Sequence, residues 1–295
     1  MKVIVRIKGG LGNQLFCYAA ARRLALVNNA ELVIDDVTGF VRDSQYQRKY
    51  ALGRFLVSAR KATPEERMEP FERYRRGLAK FIARQRPFHL RSYVEQEGLD
   101  FDLRLLDYRL KRGTVYLDGL WQSENYFKDV EEIIRQDLRI IYPEDEVNRR
   151  MAERILACNA VVVHVRFFDK SYGSNSPHNL EGNYYIQAIR EISKRVENPH
   201  FFLFSDNSGE ARQKMGLSRD KITCIDYNPG EENAYADLWL MTQCKYFIIA
   251  NSTFSWWGAW LANFKSKIVI APDIKISGLS AWGFDGFIPD DWMLL

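Results

Sequence analysis

Two spacings of apolar residues alternate along the chain, and the points where one gives way to the other predict its elements. Residues 2–7 (KVIVRI) are β-branched and mostly apolar, as a buried strand requires. The glycines of KGGLGNQ follow, and then LFCYAAARRLALVNN carries apolar residues at helical spacing as far as Asn28 and Asn29. ELVIDD (31–36) is a second strand. Strand, glycine turn, helix and strand make a βαβ unit, so the sheet should be parallel. Between 38 and 113 the pattern is charged and predicts mostly helix, broken at Pro64, Pro70 and Pro87. TVYLDGLW (114–121) returns to strand. SENYFKDVEEIIRQDL (123–138) predicts a helix capped by Ser123, with Phe127, Val130, Ile133 and Ile134 on one face.

IIYPEDE (140–146) reads as a crossover, after which the theme repeats. AVVVHVRF (160–167) is a continuous apolar run of the kind buried on both faces of a parallel sheet. A loop with Gly173, Ser174, Asn175, Ser176 and Pro177 leads to a helix over 184–196. Strands are predicted at 200–207, 222–227, 245–251 and 267–272, with helices at 209–217, 232–244 and 252–264 between them. The expected fold is α/β, with two facing Rossmann-like doubly wound domains spanning 1–150 and 151–295. Ligands of such folds lie in the crevice beyond the strand ends.

Composition narrows the class. With 295 residues, 46% hydrophobic and 27% charged, the chain can bury a sizeable core and is not disordered. The net charge of +4 is mild but uneven, because basic residues crowd the stretch from Arg42 to Arg91. That stretch has three readings: the solvated face of helices, a nucleic-acid surface, or a contact with an anionic membrane. The nucleic-acid reading predicts steeply salt-dependent polyanion binding and leaves the strand-end motifs unexplained. Cys17, Cys158, Cys224 and Cys244 are isolated, which fits reduced thiols and predicts neither a disulfide framework nor a metal site. Charge interrupts MKVIVRIKGG too early for a signal peptide, and no run approaches the ~20 apolar residues of a membrane span. The expected location is the cytoplasm, with peripheral contact at the inner face of the membrane as an extension.

Three clusters fall at the C-terminal ends of predicted strands. In GGLGNQ (9–14), Gly10 and Gly12 allow close backbone approach, and a helix start offers free N–H groups. No Lys-Ser/Thr follows, so this is not a P-loop, and the third glycine of the dinucleotide fingerprint is missing; a plain tight turn is the competing reading. His164 and Arg166 share one face of a strand end, and a guanidinium placed there calls for an anion, its fork suiting phosphate. Asn251, Ser252, Thr253 and Ser255 stand at a strand-to-helix junction. They read either as a well-capped helix or as a cradle of hydroxyls and N–H groups for a pyrophosphate. Asp206 ends another strand, where a carboxylate can take ribose hydroxyls or a base edge.

The ordered set GGLGNQ, HVRFFD (164–169), FSD (204–206) and NSTFSWWGAWL (251–261), with GLWQSENYF (119–127) and WGFDGFIPDDW (282–292), resembles the alpha-1,2-fucosyltransferases of glycosyltransferase family 11 over almost the whole chain. The resemblance implies a GT-B type enzyme that transfers L-fucose from GDP-β-L-fucose with inversion, usually to the 2-hydroxyl of galactose in a glycan acceptor. It implies no metal or other cofactor. His164 would meet guanine, Arg166 the β-phosphate, and Ser252, Thr253 and Phe254 the diphosphate; Asn13 would reach the fucose or the incoming hydroxyl. The family's second motif arginine is Phe167 here, which leaves its charge to another group such as Lys170. Asp169 and Asp206 are the nearest carboxylates for a general base, and Asp169 has the competing role of orienting Arg166. Another GDP-sugar or another linkage is the alternative within the same scaffold.

Overall fold

The computed structural model describes residues 1–44, 46–168, 176, 178–276 and 281–295. The chain forms two compact units, one of Met1–Arg139 with Asp285–Phe287, the other of Ile140–Phe284 with Ile288–Leu295.

In the first unit, β1 (Lys2–Arg6) enters α1 (Leu11–Val27) through the glycine turn, and β2 (Glu31–Asp35) follows. Thirteen residues of α1 are buried, because apolar side chains surround it on almost every side. β3 (Arg60–Lys61), α2 (Glu72–Arg84), β4 (Tyr93–Glu95), β5 (Thr114–Asp118) and α3 (Glu131–Asp137) complete the unit. The sheet runs β3-β2-β1-β5-β4, all parallel, with its order reversing between β1 and β5.

Two expectations fail here. Residues 38–113 are not mostly helical: α2 is their one α-helix among the described residues. Charge at mixed spacing looked helical, but side chains bond the backbone instead and hold it in loops. Asp43 accepts from the N–H groups of Tyr46 and Arg48, and buried Gln14 bonds both the Lys49 carbonyl and the Ala51 N–H at 2.9 and 2.8 Å. The helix expected over 123–138 is also shorter. Ser123 caps only a single turn (Glu124–Tyr126), and its hydroxyl is drawn to the carbonyl of Gly286 at 2.5 Å.

The second unit holds α4 (Glu146–Leu156), a helix the sequence reading passed over, followed by β6 (Asn159–Val165) and α5 (Gly182–Arg195). Then come β7 (Pro199–Ser205), α6 (Ser208–Met215), β8 (Ile222–Ile225), α7 (Ala234–Thr242), β9 (Tyr246–Ile248), α8 (Thr253–Leu261), β10 (Ile268–Ala271) and β11 (Met293–Leu294). All strands are parallel in the order β11-β10-β9-β6-β7-β8, the doubly wound arrangement in which the chain starts at the centre and winds outward twice. The continuous apolar run of β6 lies at that centre, buried from Ala160 to Val165. Its Val161 and Val163 pack with Phe201, Leu203, Ile248, Tyr185 and Ile192.

A polar bridge ties α4 to α7. Asp145 caps α4 and accepts from the Asn148 amide at 2.9 Å; Asn148 and Asn228 exchange amide bonds, and Asn228 donates to Asp237 at 2.8 Å. Burial raises the Asp237 carboxyl to about 7, more than the bond from Asn228 lowers it.

Candidate donor-binding site

The order of the second sheet reverses between β6 and β9, and at such a switch point the loops diverge to leave a crevice beyond the strand ends. His164 lies in the last turn of pleat of β6, and register does the rest. Val165 is opposite Ser205 of β7, so the next residues on both strands, Arg166 and Asp206, arrive side by side. Arg166 Nη1 lies 3.2 Å from Asp206 Oδ2, while Asp206 Oδ1 accepts from the Phe167 N–H at 3.1 Å. Asp206 is thus placed to orient Arg166. The Arg166 guanidinium remains one-third exposed.

On the other side of the switch point, Ser252 caps α8, its hydroxyl accepting from the Phe254 N–H. Ser255, one turn in, is fully buried and sits 2.8 Å from His164 Nδ1. The Ser255 hydroxyl donates to the Ser252 carbonyl, leaving a lone pair toward Nδ1. With the hydroxyl donating in that direction, the proton of the ring sits on Nδ1 and Nε2 is an acceptor. Burial, reinforced by the charge of Arg166, lowers His164 to about 3, so the imidazole is neutral at any physiological pH. Phe254 tilts against the same ring at 5.7 Å between centroids. Asn251, buried, donates to the His178 carbonyl at 2.9 Å, but its own Oδ1 has no partner among the described residues. A buried acceptor left open costs stability unless something fills it.

The motif NSTFSWWGAWL therefore divides. Its first five residues stand at the strand ends, whereas Trp256, Trp257 and Trp260 are core, Trp256 stacking on Trp260 and tilting against Trp292. Gly258 serves packing as well: a methyl group there would meet Met241 Sδ at 2.9 Å. Phe167, at the position where an arginine was expected, turns to the core of the unit, with Lys214 Nζ 4.9 Å from its ring. Asp169 and Lys170 lie outside the described residues.

The glycine turn belongs to the first unit. Gly9 takes φ +77°, where a Cβ would strike the Asn13 side chain, and Gly10 is the N-cap of α1. The helix starts earlier than expected, so Gly12 and Asn13 lie in its opening turn rather than in the loop. Asn13 Oδ1 accepts from Gln122 Nε2 at 2.8 Å, which brings the ends of β1 and β5 together at the switch point of this sheet. Sequence reasoning missed Gln122, as it missed the buried cluster beside it. Asp118 ends β5 and is held by Lys8 at 2.9 Å, Tyr93 at 2.7 Å, Lys80 at 3.4 Å and Arg6 at 3.5 Å. Burial pushes its carboxyl up, but Lys8 and Arg6 overcome that and hold it below the usual carboxylate range. Asp35 ends β2 and accepts from Val37, Thr38 and Tyr116. The signal for Asp35 was available, since it is an acid at the end of a predicted strand, as Asp206 is; Asp118 fell inside the strand predicted over 114–121, which in fact ends there.

Among the described residues no three His, Cys, Asp or Glu gather as metal ligands would, and no helix is long and apolar enough to cross a membrane.

Comparison with known proteins places this architecture. The chain is 31% identical over 307 residues to the alpha-1,2-colitosyltransferase of Escherichia coli, covering 99% of this chain and 98% of that protein. It is 28% identical over 294 residues to the O-antigen biosynthesis glycosyltransferase WbnK of Escherichia coli, covering 90% and 92%. Its fold matches the NodZ alpha-1,6-fucosyltransferase crystal structure soaked with GDP-fucose, at a TM-score of 0.52 and 17% identity, covering 88% of this chain and 92% of that one. The fold is that of the GT-B type transferases. The glycosyl transferase family 11 model matches residues 2–281, and the chain belongs to that family of glycosyltransferases.

Proposed function

We propose that the protein transfers L-fucose from GDP-β-L-fucose to a hydroxyl of a glycan acceptor, the 2-hydroxyl of galactose, with inversion and without a metal ion. The observation that carries this reading is the set at the switch point of the second unit: a neutral histidine acceptor, an arginine braced by a carboxylate, and a serine-capped helix start. His164 Nε2 suits a nucleobase N–H, and Arg166 with the opening of α8 suits a diphosphate. The second unit is assigned the donor. The first is assigned the acceptor side, with Asn13 as its contact to sugar hydroxyls.

In the reaction the acceptor oxygen bonds to C1 of the sugar as the bond from C1 to the β-phosphate oxygen breaks. That electron pair leaves with GDP, and the hydroxyl proton passes to a base, for which Asp169 and Asp206 are the candidates the sequence offers. Charge grows on the β-phosphate as the bond breaks. Fixed donors aimed there, Arg166 and the N–H groups of Thr253 and Ser255, are the largest catalytic contribution expected. The activity is assigned to the cytoplasm, where nucleotide sugars are made.

A second reading has a specific support, the resemblance to a colitosyltransferase. Colitose is fucose without its 3-hydroxyl, so the two donors differ by one hydrogen-bonding group. A site built to bond that hydroxyl rejects the sugar lacking it by ~10⁴–10⁵, whereas an apolar lining discriminates far less. Calorimetric titration with GDP, in EDTA and with UDP as control, tests the shared part of both readings. GDP binding with no UDP response is the expected result, and silence from both nucleotides would overturn it. Turnover of GDP-fucose against GDP-colitose then decides the sugar.

A further inference from the structure

The basic stretch of the first unit is mostly neutralised within it. Arg60 pairs with Glu31 and Glu66, Lys61 with Asp36, Arg67 with Glu69, Lys80 and Arg84 with Glu95, and Arg91 with Glu97. α2 is different. Its inward face is narrow: Ala79 and Ala83 pack toward Val33, Tyr93 and Tyr116, and Lys80 reaches in to Glu95 and Asp118. The opposite face presents Tyr74, Leu78, Phe81 and Ile82, with Phe71 immediately before the helix, all between 43% and 78% exposed. At ~3.6 residues per turn the four within the helix share roughly 100° of arc. Arg73 borders the stripe on one side and Arg75 on the other, with Arg86 just past the helix end, all exposed, while Arg84 is paired with Glu95. Glu72, the one acid of the helix, falls toward the inward half.

An amphipathic helix normally turns its apolar face to a core, and a contiguous apolar patch left on the surface marks a contact. Charge identifies the occupant. A patch bordered on both sides by exposed guanidinium groups matches a surface that offers hydrocarbon beneath a layer of anions. Arginine stems can lie along that boundary with their heads among phosphates, and the Tyr74 ring suits the same depth. A second copy of the chain is a poor match. A two-fold contact through α2 would set the arginine borders of one copy against those of the other.

We propose that α2 is an interfacial helix which docks the protein onto an anionic lipid surface through Phe71, Tyr74, Leu78, Phe81 and Ile82. The inference goes beyond the transferase reading and does not rest on it. The test is flotation of the full chain with phosphatidylcholine vesicles, with and without phosphatidylglycerol. Two variants accompany it, Leu78→Asp/Phe81→Asp and Arg73→Gln/Arg86→Gln, with circular dichroism and GDP titration confirming that both keep the fold. The expected result is binding that requires phosphatidylglycerol. It should fall by at least about tenfold in the apolar variant, and severalfold in the arginine variant and with added salt. Failure of the wild-type chain to float with anionic vesicles would overturn the proposal. So would undiminished binding in the apolar variant, which is adsorption by charge alone. Self-association that sedimentation detects in the wild type and the apolar variant abolishes, without vesicle binding, would give the face to a second copy instead.

Discussion

The ends of the two parallel sheets use the same kinds of residue to opposite effect. In the first unit the strand-end carboxylates are enclosed and saturated: Asp118 has four partners and Asp35 takes two backbone N–H groups and two hydroxyls. In the second unit the strand ends are braced but unfinished. Arg166 is held on one side and one-third exposed, and Asn251 Oδ1 is buried with no partner among the described residues. A saturated polar cluster holds loops in place, whereas a braced and incomplete one leaves polar atoms open to a further partner. The strand-end position alone marks both, and satisfaction of the polar atoms separates them.

The sharpest way to break that contrast is to remove Asp118. Asp118→Ala leaves Lys8 and Arg6 beside each other without their common anion and strips the Tyr93 hydroxyl of its acceptor. Losing one partner of a buried ion pair costs about 3–5 kcal/mol. Urea unfolding followed by far-ultraviolet circular dichroism should show that loss, with GDP affinity unchanged. Intact stability with abolished transfer would make the cluster a substrate site and end the contrast.

Next in size is Arg166→Ala. If the arginine faces the developing charge on the β-phosphate, kcat should fall by ~10²–10³, about 3–4 kcal/mol of barrier, while the melting temperature stays near that of the wild type. Turnover equal to the wild type would remove Arg166 from the mechanism. Asp206→Asn sharpens the point, because it keeps the acceptor for the Phe167 N–H and lowers the charge that braces Arg166. Its expected cost is smaller, roughly tenfold in kcat, as for a residue that acts through another.

Much of this was legible because periodicity reports burial directly. β6 announced itself as a run buried on both faces, and the alternation of strand and helix pointed to a parallel, doubly wound second sheet. The stretch 38–113 was not legible, because its loops are held by side chains such as Asp43 and Gln14, whose partners lie at distances that no local pattern encodes. The site was partly legible. His164, Ser252 and Ser255 stood out by type and position, but the pairing of Arg166 with Asp206 needs the register of β6 against β7. Asp118 and Gln122 escaped notice because nothing in the sequence says that β5 lies beside β1.

The last effect concerns pH, and two buried groups of the second unit pull in opposite directions. His164 falls from 6.5 to about 3 on folding, so between those values the unfolded chain binds the extra proton and stability drops as pH falls. At pH 5 that amounts to about 2 kcal/mol relative to pH 8. Asp237 rises from 3.8 to about 7, so in that window the folded chain binds the extra proton and stability grows as pH falls, by about 2–3 kcal/mol at pH 5. The wild type should therefore be nearly flat between pH 5 and 8. His164→Gln should become more stable on acidification, and Asp237→Asn less stable. Six of the seven tryptophans lie in the second unit, so tryptophan fluorescence during urea unfolding reports it selectively. Identical pH profiles for His164→Gln and the wild type would mean that the imidazole takes up its proton in the folded protein over the same range as in the unfolded chain, and so is charged at acid pH. In that state Nε2 carries a proton and cannot accept from a base, so the same experiment decides whether the second unit presents an acceptor or a cation at its strand ends.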